Sequence, residues 1–225
     1  YVDPFLGTGG HGHVYTGATV PFGMVQLSPD TGDEGWDWCS GYHYSSKNIM
    51  GFSHTHLSGT GIGDLNDILI MPTVGKLELK KATQKEPNEG YVSSFSHENE
   101  KCEPGYYSVI LDKYKVKAEL TATERVGMHQ YHFEKDDTAR LLFDMSFGMG
   151  WDMATDAMVE KINDSTIAGY RYSTGWAIDQ KLFFTAVFSQ PIKSISYYQN
   201  DSLEVMPKGK GNNLKAAIAF KVKQN

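Results

Sequence analysis

Two short segments of the sequence each place a pair of histidines two residues apart. The first reads GGHGH and contains His11 and His13, and the second reads SHTH and contains His54 and His56. In an extended chain this spacing puts both imidazoles on one face, which is a common beginning of a transition-metal site. A metal enzyme also needs a third ligand and groups that orient the ligands, and spacing alone does not show that the four histidines converge. The alternative is that they are hydrogen-bonded polar residues beneath glycine-rich loops.

The segment GWDWCSGYHY concentrates aromatic side chains around one carboxylate, Asp37. Sugars present apolar C–H faces and a ring of hydroxyl groups, so an aromatic surface beside a carboxylate complements a pyranose. If the segment is extended, Trp36 and Trp38 point to the same side. Both indoles could instead fill a core. The flanking Gly35 and Gly41 favour a loop, and the segment is therefore a candidate sugar platform.

The N-terminal third also holds many carboxylates, and glycoside hydrolysis requires two of them, roughly 5 to 9.5 Å apart. Among them are Asp30, Asp33, Glu34, Asp37, Asp64 and Asp67. Aspartates in glycine-rich loops are more often turn formers than catalysts, and the sequence singles out no pair. The chain lacks the G-x-S-x-G, phosphate-loop, dinucleotide-binding and C-x-x-C signatures, which argues against serine hydrolases, kinases and dehydrogenases.

The composition is that of an ordinary globular protein with an acidic balance. Of 225 residues, 40% are hydrophobic and 21% are charged, and the formal net charge is −6. This charge argues against nucleic acid or anionic lipid as a partner. No run of apolar residues is long enough to predict a membrane span. The chain opens at Tyr1 without the pattern of a signal peptide, so we expect any targeting signal to have been removed.

All of these candidate residues lie in the first 75 residues, which differ from the rest of the chain. This stretch holds five of the eight histidines and is rich in glycine, serine and threonine, which predicts loops wound around a site. Beyond Lys76 the chain changes to short runs of β-branched and aromatic residues, which predict strands. The predicted strands span residues 105–111, 115–123, 127–133, 139–144, 158–162, 166–172, 181–188, 192–198 and 214–222. Residues 163–165 predict a hairpin turn, and residues 134–137 and 208–213 predict solvated loops.

These elements predict an all-β fold, a large, supersandwich-like antiparallel β-sandwich. We find no internal repeat and no linker rich in proline or serine, so we predict a single domain over residues 1–225. The two cysteines, Cys39 and Cys102, match no metal-ligand spacing. The sequence is consistent either with two free thiols or with one disulfide between them.

Several long segments carry a resemblance to a known family. They are VDPFLGTGGHGHVYTGATVPFGMVQLSPDT, GWDWCSGYHY, GFSHTHLSGTGIGDLNDILIMP, TATERVGMHQYHF and GYRYSTGWAIDQKLFFTAVFSQP. Together they cover nearly the whole chain and resemble the N-terminal domain of glycoside hydrolase family 92, the bacterial exo-acting α-mannosidases.

The resemblance implies an N-terminal β-sandwich followed by a larger (α/α)6 barrel, with the active site in the cleft between them. It implies inverting hydrolysis of terminal α-mannosides of glycans, with calcium bound in the pocket. The general acid, the general base and the calcium ligands of the family come chiefly from the barrel. We therefore expect no catalytic residue, no metal ligand and no cofactor in this chain, and no activity of the chain alone.

The partners that the resemblance implies are the α-mannoside substrate and the helical barrel of the same polypeptide, which this chain lacks. The implied location is secreted, in the periplasm or at the extracellular surface of a bacterium. The role carried over to this chain is substrate binding by the loops of the sandwich. The candidate substrate-binding residues are Trp36, Asp37, Trp38, His11, His13, His54 and His56. Two other functions stay open, an independent carbohydrate-binding module and a self-contained histidine-metal enzyme.

Overall fold

The computed structural model describes residues 2–33, 35–83, 86, 88–134 and 138–220. The described residues form strands and two short 3₁₀ helices, η1 (Trp36–Trp38) and η2 (His97–Asn99). The strands are β1 (Ala18–Thr19), β2 (Gln26–Asp30), β3 (Asn48–Ile49), β4 (Gly51–Ser53), β5 (Leu69–Thr73), β6 (Ser93–Ser94), β7 (Lys101–Glu103), β8 (Tyr106–Leu111), β9 (Val116–Ala122), β10 (Gly127–Phe133), β11 (Arg140–Asp144), β12 (Met153–Asn163), β13 (Thr166–Thr174), β14 (Gln180–Val187), β15 (Ile192–Gln199), β16 (Ser202–Glu204), β17 (Lys208–Lys210) and β18 (Leu214–Phe220). No helix in the described part of the chain is long and apolar enough to cross a membrane.

The strands assemble into three main sheets, and every pairing between them is antiparallel. The central sheet has eight strands in the order β1-β2-β4-β5-β11-β18-β15-β16. A four-stranded sheet of order β10-β9-β8-β7 packs on one of its faces, and one of order β14-β13-β12-β17 packs on the other. The short strands β3 and β6 pair with each other. The predicted all-β antiparallel sandwich is therefore confirmed, in the form of three layers.

The central sheet is buried on both faces, and this explains the apolar runs of its middle strands. Along β11, Leu142 belongs to the core shared with β8 and β9, whereas Leu141 and Phe143 belong to the core shared with β12 and β13. A strand without a solvated face is expected to be apolar almost throughout. The outer strands β10 and β14 instead alternate between partly buried and exposed residues, as strands with one solvated face do.

The nine predicted strands are confirmed, with shifted boundaries. β12 begins earlier than predicted, at Met153, because Thr155 and Asp156 interrupt the apolar pattern and an irregularity between Ala154 and Asp156 breaks the alternation. The turn at residues 163–165 is confirmed, and the Ser165 amide donates to Asn163 Oδ1 at 2.9 Å. The prediction of a solvated loop at 208–213 is wrong at its start, where β17 pairs with β12.

Parts of some predictions lie outside the described residues. They are residues 135–137 of the predicted loop, residues 221–222 of the last predicted strand, and the candidate carboxylate Glu34.

The prediction of loops in the first 75 residues is confirmed for the segment 7–17, which contains no strand, but it missed the strands of this stretch. This stretch supplies β1, β2, β4 and β5, which are half of the eight-stranded sheet. Two of these strands were not predicted because each contains a proline, which is rare inside sheets. Pro29 lies in β2 and Pro72 lies in β5. β4 and β5 pair only at Phe52 and Ile70, so Pro72 lies beyond the end of β4 and needs no donor on that side.

Candidate functional site

Five loops that are distant in sequence contact one another, and we call them the rim loops. They are residues 7–13, 35–46, 58–64, 148–152 and 174–180. Loop 58–64 contacts three of the others: the Gly59 amide donates to the His13 carbonyl at 2.6 Å, the Trp151 amide to the Gly63 carbonyl at 3.2 Å, and the Ala177 amide to Asp64 Oδ2 at 3.1 Å. The rim loops therefore form one connected surface, which brings the candidate residues of the N-terminal segment beside two later segments.

Trp36 is the most exposed aromatic residue of the GWDWC segment, with 57% of its surface accessible. It begins η1, and its ring packs against two histidines of loop 7–13. The His13 ring contacts it edge-on, with 4.4 Å between ring centroids, and the His11 ring lies at 5.4 Å. The structure therefore brings His11, His13 and Trp36 together, and the indole keeps one side open to solvent.

Asp37 lies next to Trp36 and pairs with His11. The Nδ1 atom of His11 and Oδ1 of Asp37 are 2.7 Å apart, and both side chains reach solvent. The hydrogen bond from His11 lowers the pKa of Asp37 below its ordinary value, because it stabilises the carboxylate. Trp36, Asp37 and His11 thus present an aromatic ring, a carboxylate and an imidazole on one exposed patch, which is the chemistry that a sugar ring requires.

Trp38 points away from Trp36 and is half-buried. The expectation that both indoles point to the same side is wrong, because η1 is a 3₁₀ helix, in which residues two apart project roughly 120° from each other. The Trp38 ring lies 4.9 Å from the His43 ring and its Nε1 donates to Ser46 Oγ at 3.0 Å. The prediction of a loop at this segment is confirmed, since no strand includes it.

Two partly buried hydrogen bonds hold this loop in place. His43 Nε2 donates to the Gly10 carbonyl at 3.0 Å and so ties loop 35–46 to loop 7–13. The Tyr42 hydroxyl donates to the carboxylate of Glu100, which lies 3.1 Å away, beyond η2. The exposed patch around Trp36 therefore rests on fixed side chains.

The other candidate histidines face other partners. His56 Nδ1 donates to the Gln26 carbonyl at 2.7 Å, and His56 Nε2 lies 3.0 Å from Asp30 Oδ1. His54 instead faces β10, where its Nε2 lies 2.9 Å from the Nε2 of His129. The four candidate histidines therefore do not converge on one point.

Within the described residues no group of three or more His, Cys, Asp or Glu side chains is placed to hold a metal ion. His13 is buried, and its Nε2 has no hydrogen-bond partner. Cys39 and Cys102 are both free thiols, so the question of a disulfide is resolved.

A buried ion network, which the sequence did not reveal, lies beneath the rim loops. Arg171 is fully buried; its guanidinium donates to Asp67 Oδ1 at 2.6 Å, to Asp152, and to the Met145 carbonyl at 3.1 Å. Burial alone would lower the pKa of Arg171, but its two carboxylate partners outweigh burial and raise it. Asp67 also accepts from the Thr55 hydroxyl at 2.7 Å. Arg171 thus ties the segment after β4 to the segment after β11.

Two further exposed tryptophans stand on the rim loops. Trp151 is 65% exposed and Trp176 is 62% exposed. Asp64, which is almost fully buried, holds the loop of Trp176 by accepting from the Ala177 amide at 3.1 Å and from Gln180 Nε2 at 3.2 Å. Sequence reasoning missed this pair, although exposed tryptophans beside glycines, as in GMGW and TGW, are the same signal that identified Trp36.

The chain between Asp64 and β5 has an unusual backbone. Leu65, Asn66 and Ile68 all have positive φ, at 71°, 63° and 56°. This conformation is strained for residues with a Cβ, and for a β-branched residue such as Ile68 it is a genuine outlier. Backbone strain of this kind persists where the surroundings fix the chain, and here the Asn66 amide group donates to Asp30 Oδ1 at 2.5 Å.

Comparison with known proteins places these features in a family. A sequence profile described as the glycosyl hydrolase family 92 N-terminal domain matches residues 1–225. The family GH92 alpha-mannosidase BT3965 from Bacteroides thetaiotaomicron, solved in complex with mannoimidazole, is 40% identical, with a TM-score of 0.93 over 98% of this chain and 30% of its own. The family GH92 inverting mannosidase BT2199 from the same organism is 28% identical, with a TM-score of 0.77 over 99% of this chain and 29% of its own.

A curated relative, an uncharacterized secreted glycosidase from Arthroderma benhamiae, is 30% identical over 138 residues, which are 60% of this chain and 17% of that protein. The chain therefore spans less than a third of the length of each of these relatives.

Proposed function

Since this chain belongs to glycosyl hydrolase family 92 as its N-terminal domain, we propose that it completes the substrate pocket of an inverting exo-α-mannosidase. In this proposal a helical barrel of the same polypeptide supplies the general acid and the general base. The rim loops of this chain supply part of the surface that binds a terminal α-mannoside of a glycan.

One observation carries the proposal, the exposed indole of Trp36 beside the Asp37–His11 pair. The ring offers an apolar face to the C–H groups of a pyranose, while the carboxylate and the imidazole offer hydrogen bonds to hydroxyl groups. Trp36 is 57% exposed although two histidine rings pack against it. An exposed indole beside a carboxylate and an imidazole offers the mixed apolar and polar surface that complements a sugar. We refer to this patch as the Trp36 platform.

Three buried aspartates at and beneath the rim loops support the placement of catalysis elsewhere. Asp67 and Asp152 are engaged by the buried Arg171, and Asp64 is engaged by Ala177 and Gln180. A general acid or base has to reach the glycosidic bond or a water molecule, which groups enclosed by internal partners do not do. The roles that these carboxylates fill are structural.

Calcium is part of the same proposal. Calcium takes six to eight oxygen ligands; Asp64, Asp67 and Asp152 are already used by internal partners, and the exposed Asp37 is a single carboxylate paired with His11. The rim loops do not fit such a site, so we assign any calcium of the full-length protein to residues outside this chain. No step performed by this chain depends on it.

The proposed location is outside the cytoplasm, in the periplasm or at the surface of a bacterium. The name of the Arthroderma benhamiae relative, a secreted glycosidase, supports secretion. Terminal mannosides of glycans are found on exported and cell-surface material, so secretion brings the protein to its substrate.

The test is kinetic and uses the full-length protein that contains this chain. We expect it to hydrolyse an α-mannoside disaccharide with inversion at the anomeric carbon. Trp36→Ala should lower kcat/KM by roughly 30-fold. This factor corresponds to a loss of about 2 kcal/mol of contact energy in a desolvated pocket. Trp36→Phe, which keeps an aromatic face, should retain most of the activity. The isolated 225-residue chain should show no turnover.

Other outcomes would contradict parts of the proposal. Wild-type kcat/KM in Trp36→Ala would show that the platform does not contact substrate. Mannose binding by the isolated chain, with no barrel encoded downstream, would favour an independent carbohydrate-binding module, which the exposed aromatic rim also suits. Turnover by the isolated chain would place the acid and the base within it.

A further inference from the structure

We propose that Gly61 is a positioning residue, whose missing side chain sets where the Trp36 indole stands. The inference rests on the proposed function, because the position of Trp36 matters for activity only if the platform binds sugar. Gly61 was not among the candidate residues, and it contacts Trp36 from loop 58–64, which is distant in sequence from the GWDWC segment.

The geometry at Gly61 leaves no room for a methyl group. A Cβ built on Gly61 would lie 2.3 Å from Nε1 of Trp36 and 3.0 Å from Cε2. Ordinary contacts of a Cβ begin at 3.4 Å, so the indole would have to move by about 1.1 Å, the difference between 3.4 and 2.3 Å. The backbone of Gly61 does not have the positive φ that would itself demand glycine. The requirement for glycine at this position therefore comes from Trp36.

We expect the main chain of the loop that carries Gly61 to stay in place when a methyl group is added. Its Gly59 amide donates to the His13 carbonyl at 2.6 Å, and its Gly63 carbonyl accepts from the Trp151 amide at 3.2 Å. Asp64 at its end is anchored to the loop of Ala177. Bonds on both sides of Gly61 thus hold the main chain in place, and a clash has to be relieved by the indole.

Three neighbours limit where the indole can go, and we infer that it moves towards its exposed side. His13 contacts it edge-on at 4.4 Å between ring centroids, His11 lies at 5.4 Å, and Gly61 closes a third side. The remaining side is the solvent-exposed one, which is where the proposed sugar binds. A methyl group at position 61 therefore pushes Trp36 into the space of its own ligand.

A double-mutant cycle in the full-length protein tests the inference. We expect Gly61→Ala to lower kcat/KM for an α-mannoside disaccharide by about 10-fold or more, since a displacement of about 1 Å in a binding group has effects of that size. In a Trp36→Ala background the same substitution should change kcat/KM less than about 2-fold, because a residue that acts through Trp36 has nothing left to displace. An equal loss in both backgrounds, or no loss in the wild-type background, would overturn the proposal.

A second measurement on the same variants does not depend on sugar binding. The indole N–H resonance of Trp36, assigned with Trp36→Phe, should shift in Gly61→Ala while the melting temperature stays near that of the wild type. Gly59→Ala is the matched control: its Cβ would meet nothing within 4 Å but its φ is +77°, so it should lower the melting temperature and leave the Trp36 resonance in place. A Gly61→Ala variant with an unmoved Trp36 resonance would refute the inference.

The two proposals fail in different ways. If Trp36→Ala keeps full activity while Gly61→Ala shifts the indole resonance, the sugar platform is wrong and the contact is right. If Trp36→Ala loses activity while Gly61→Ala changes neither activity nor resonance, only the role of Gly61 is wrong.

Discussion

The imidazoles of His54 and His129 share one hydrogen bond of 2.9 Å between their Nε2 atoms. His54 Nδ1 lies 2.9 Å from the Ile68 carbonyl and must donate to it, so His54 Nε2 is an acceptor and His129 Nε2 is the donor. His129 Nδ1 is then free to accept from the Tyr131 hydroxyl at 2.8 Å. The chain of bonds is satisfied with both rings neutral and has no acceptor for a further proton.

Acid should therefore destabilise the protein through this pair. Burial lowers the pKa of both histidines below their ordinary value of 6.5, and the neighbouring His54 lowers that of His129 further. Below about pH 6.5 the unfolded chain then binds protons that the folded chain refuses, so stability falls as the pH decreases. We expect the free energy of unfolding to drop between pH 6.5 and 5 with a slope of up to about 2.7 kcal/mol per pH unit, which is two protons.

Denaturant unfolding at a series of pH values measures this slope, and His129→Gln is the matched variant. Glutamine keeps a donor towards His54 and an acceptor for Tyr131 but does not titrate. Its slope should be smaller by about 1.4 kcal/mol per pH unit, one proton. An unchanged slope would mean that other groups cause the acid sensitivity.

Removal of Arg171 should be among the most damaging substitutions. Arg171→Met leaves the carboxylates of Asp67 and Asp152 buried without a cation, which typically costs about 3 to 5 kcal/mol. Burial raises the pKa of Asp152 and Arg171 opposes that shift, so without the guanidinium Asp152 takes up a proton more readily. The deficit relative to wild type should thus shrink as the pH falls. Adding Asp67→Asn and Asp152→Asn should recover part of the loss, and a triple variant as unstable as the single one would contradict this account.

The two tryptophans of the GWDWC segment should differ in how much each contributes to the free energy of unfolding. Trp38→Ala removes a half-buried ring that packs on His43 and under Gly32 and donates to Ser46, so we expect a loss of about 3 kcal/mol. Trp36→Ala removes an exposed ring and should cost less than about 1 kcal/mol. Thermal and denaturant unfolding of both variants gives the comparison. A larger loss for Trp36 than for Trp38 would reverse their roles.

Transition metal should be absent at stoichiometric levels from protein purified without metal-affinity chromatography. The physical reason is the divergence of His11, His13, His54 and His56 towards separate partners. We therefore expect EDTA to leave the melting temperature unchanged, because removing a metal lowers stability only where the folded protein binds one. Elemental analysis that finds one tightly held zinc or nickel ion per chain would contradict this prediction.

Sequence patterns predicted the outer layers of the fold better than the central one. β10 and β14 alternate with a clear period of two, and this pattern locates them within a residue. β2 and β5 lie in the central sheet, where both faces are buried, and each contains a proline. Because both faces are buried, these two strands lack the alternation of apolar and polar residues that predicts a strand. Their place in the sheet is therefore evident only from the structure, which shows the layers on both sides.

For the candidate site, residue chemistry identified the patch but not its geometry. Trp36, Asp37, His11 and His13 do lie together, as the density of aromatic and polar groups suggested. The 3₁₀ turn that separates Trp38 from Trp36 was not predicted, because the expected direction of the two indoles assumed an extended segment. The partnership of Asp67 with Arg171 spans 104 positions, a separation at which local spacing holds no information.

The place of β18 in the central sheet has a consequence for biosynthesis. It lies between β11 and β15, yet it is the last described strand to be translated. While a ribosome is still adding the residues before Leu214, the nascent chain carries two open sheet edges that only β18 closes. Open edges of this kind recruit other strands, so the interval before β18 leaves the ribosome is when this domain most needs a chaperone.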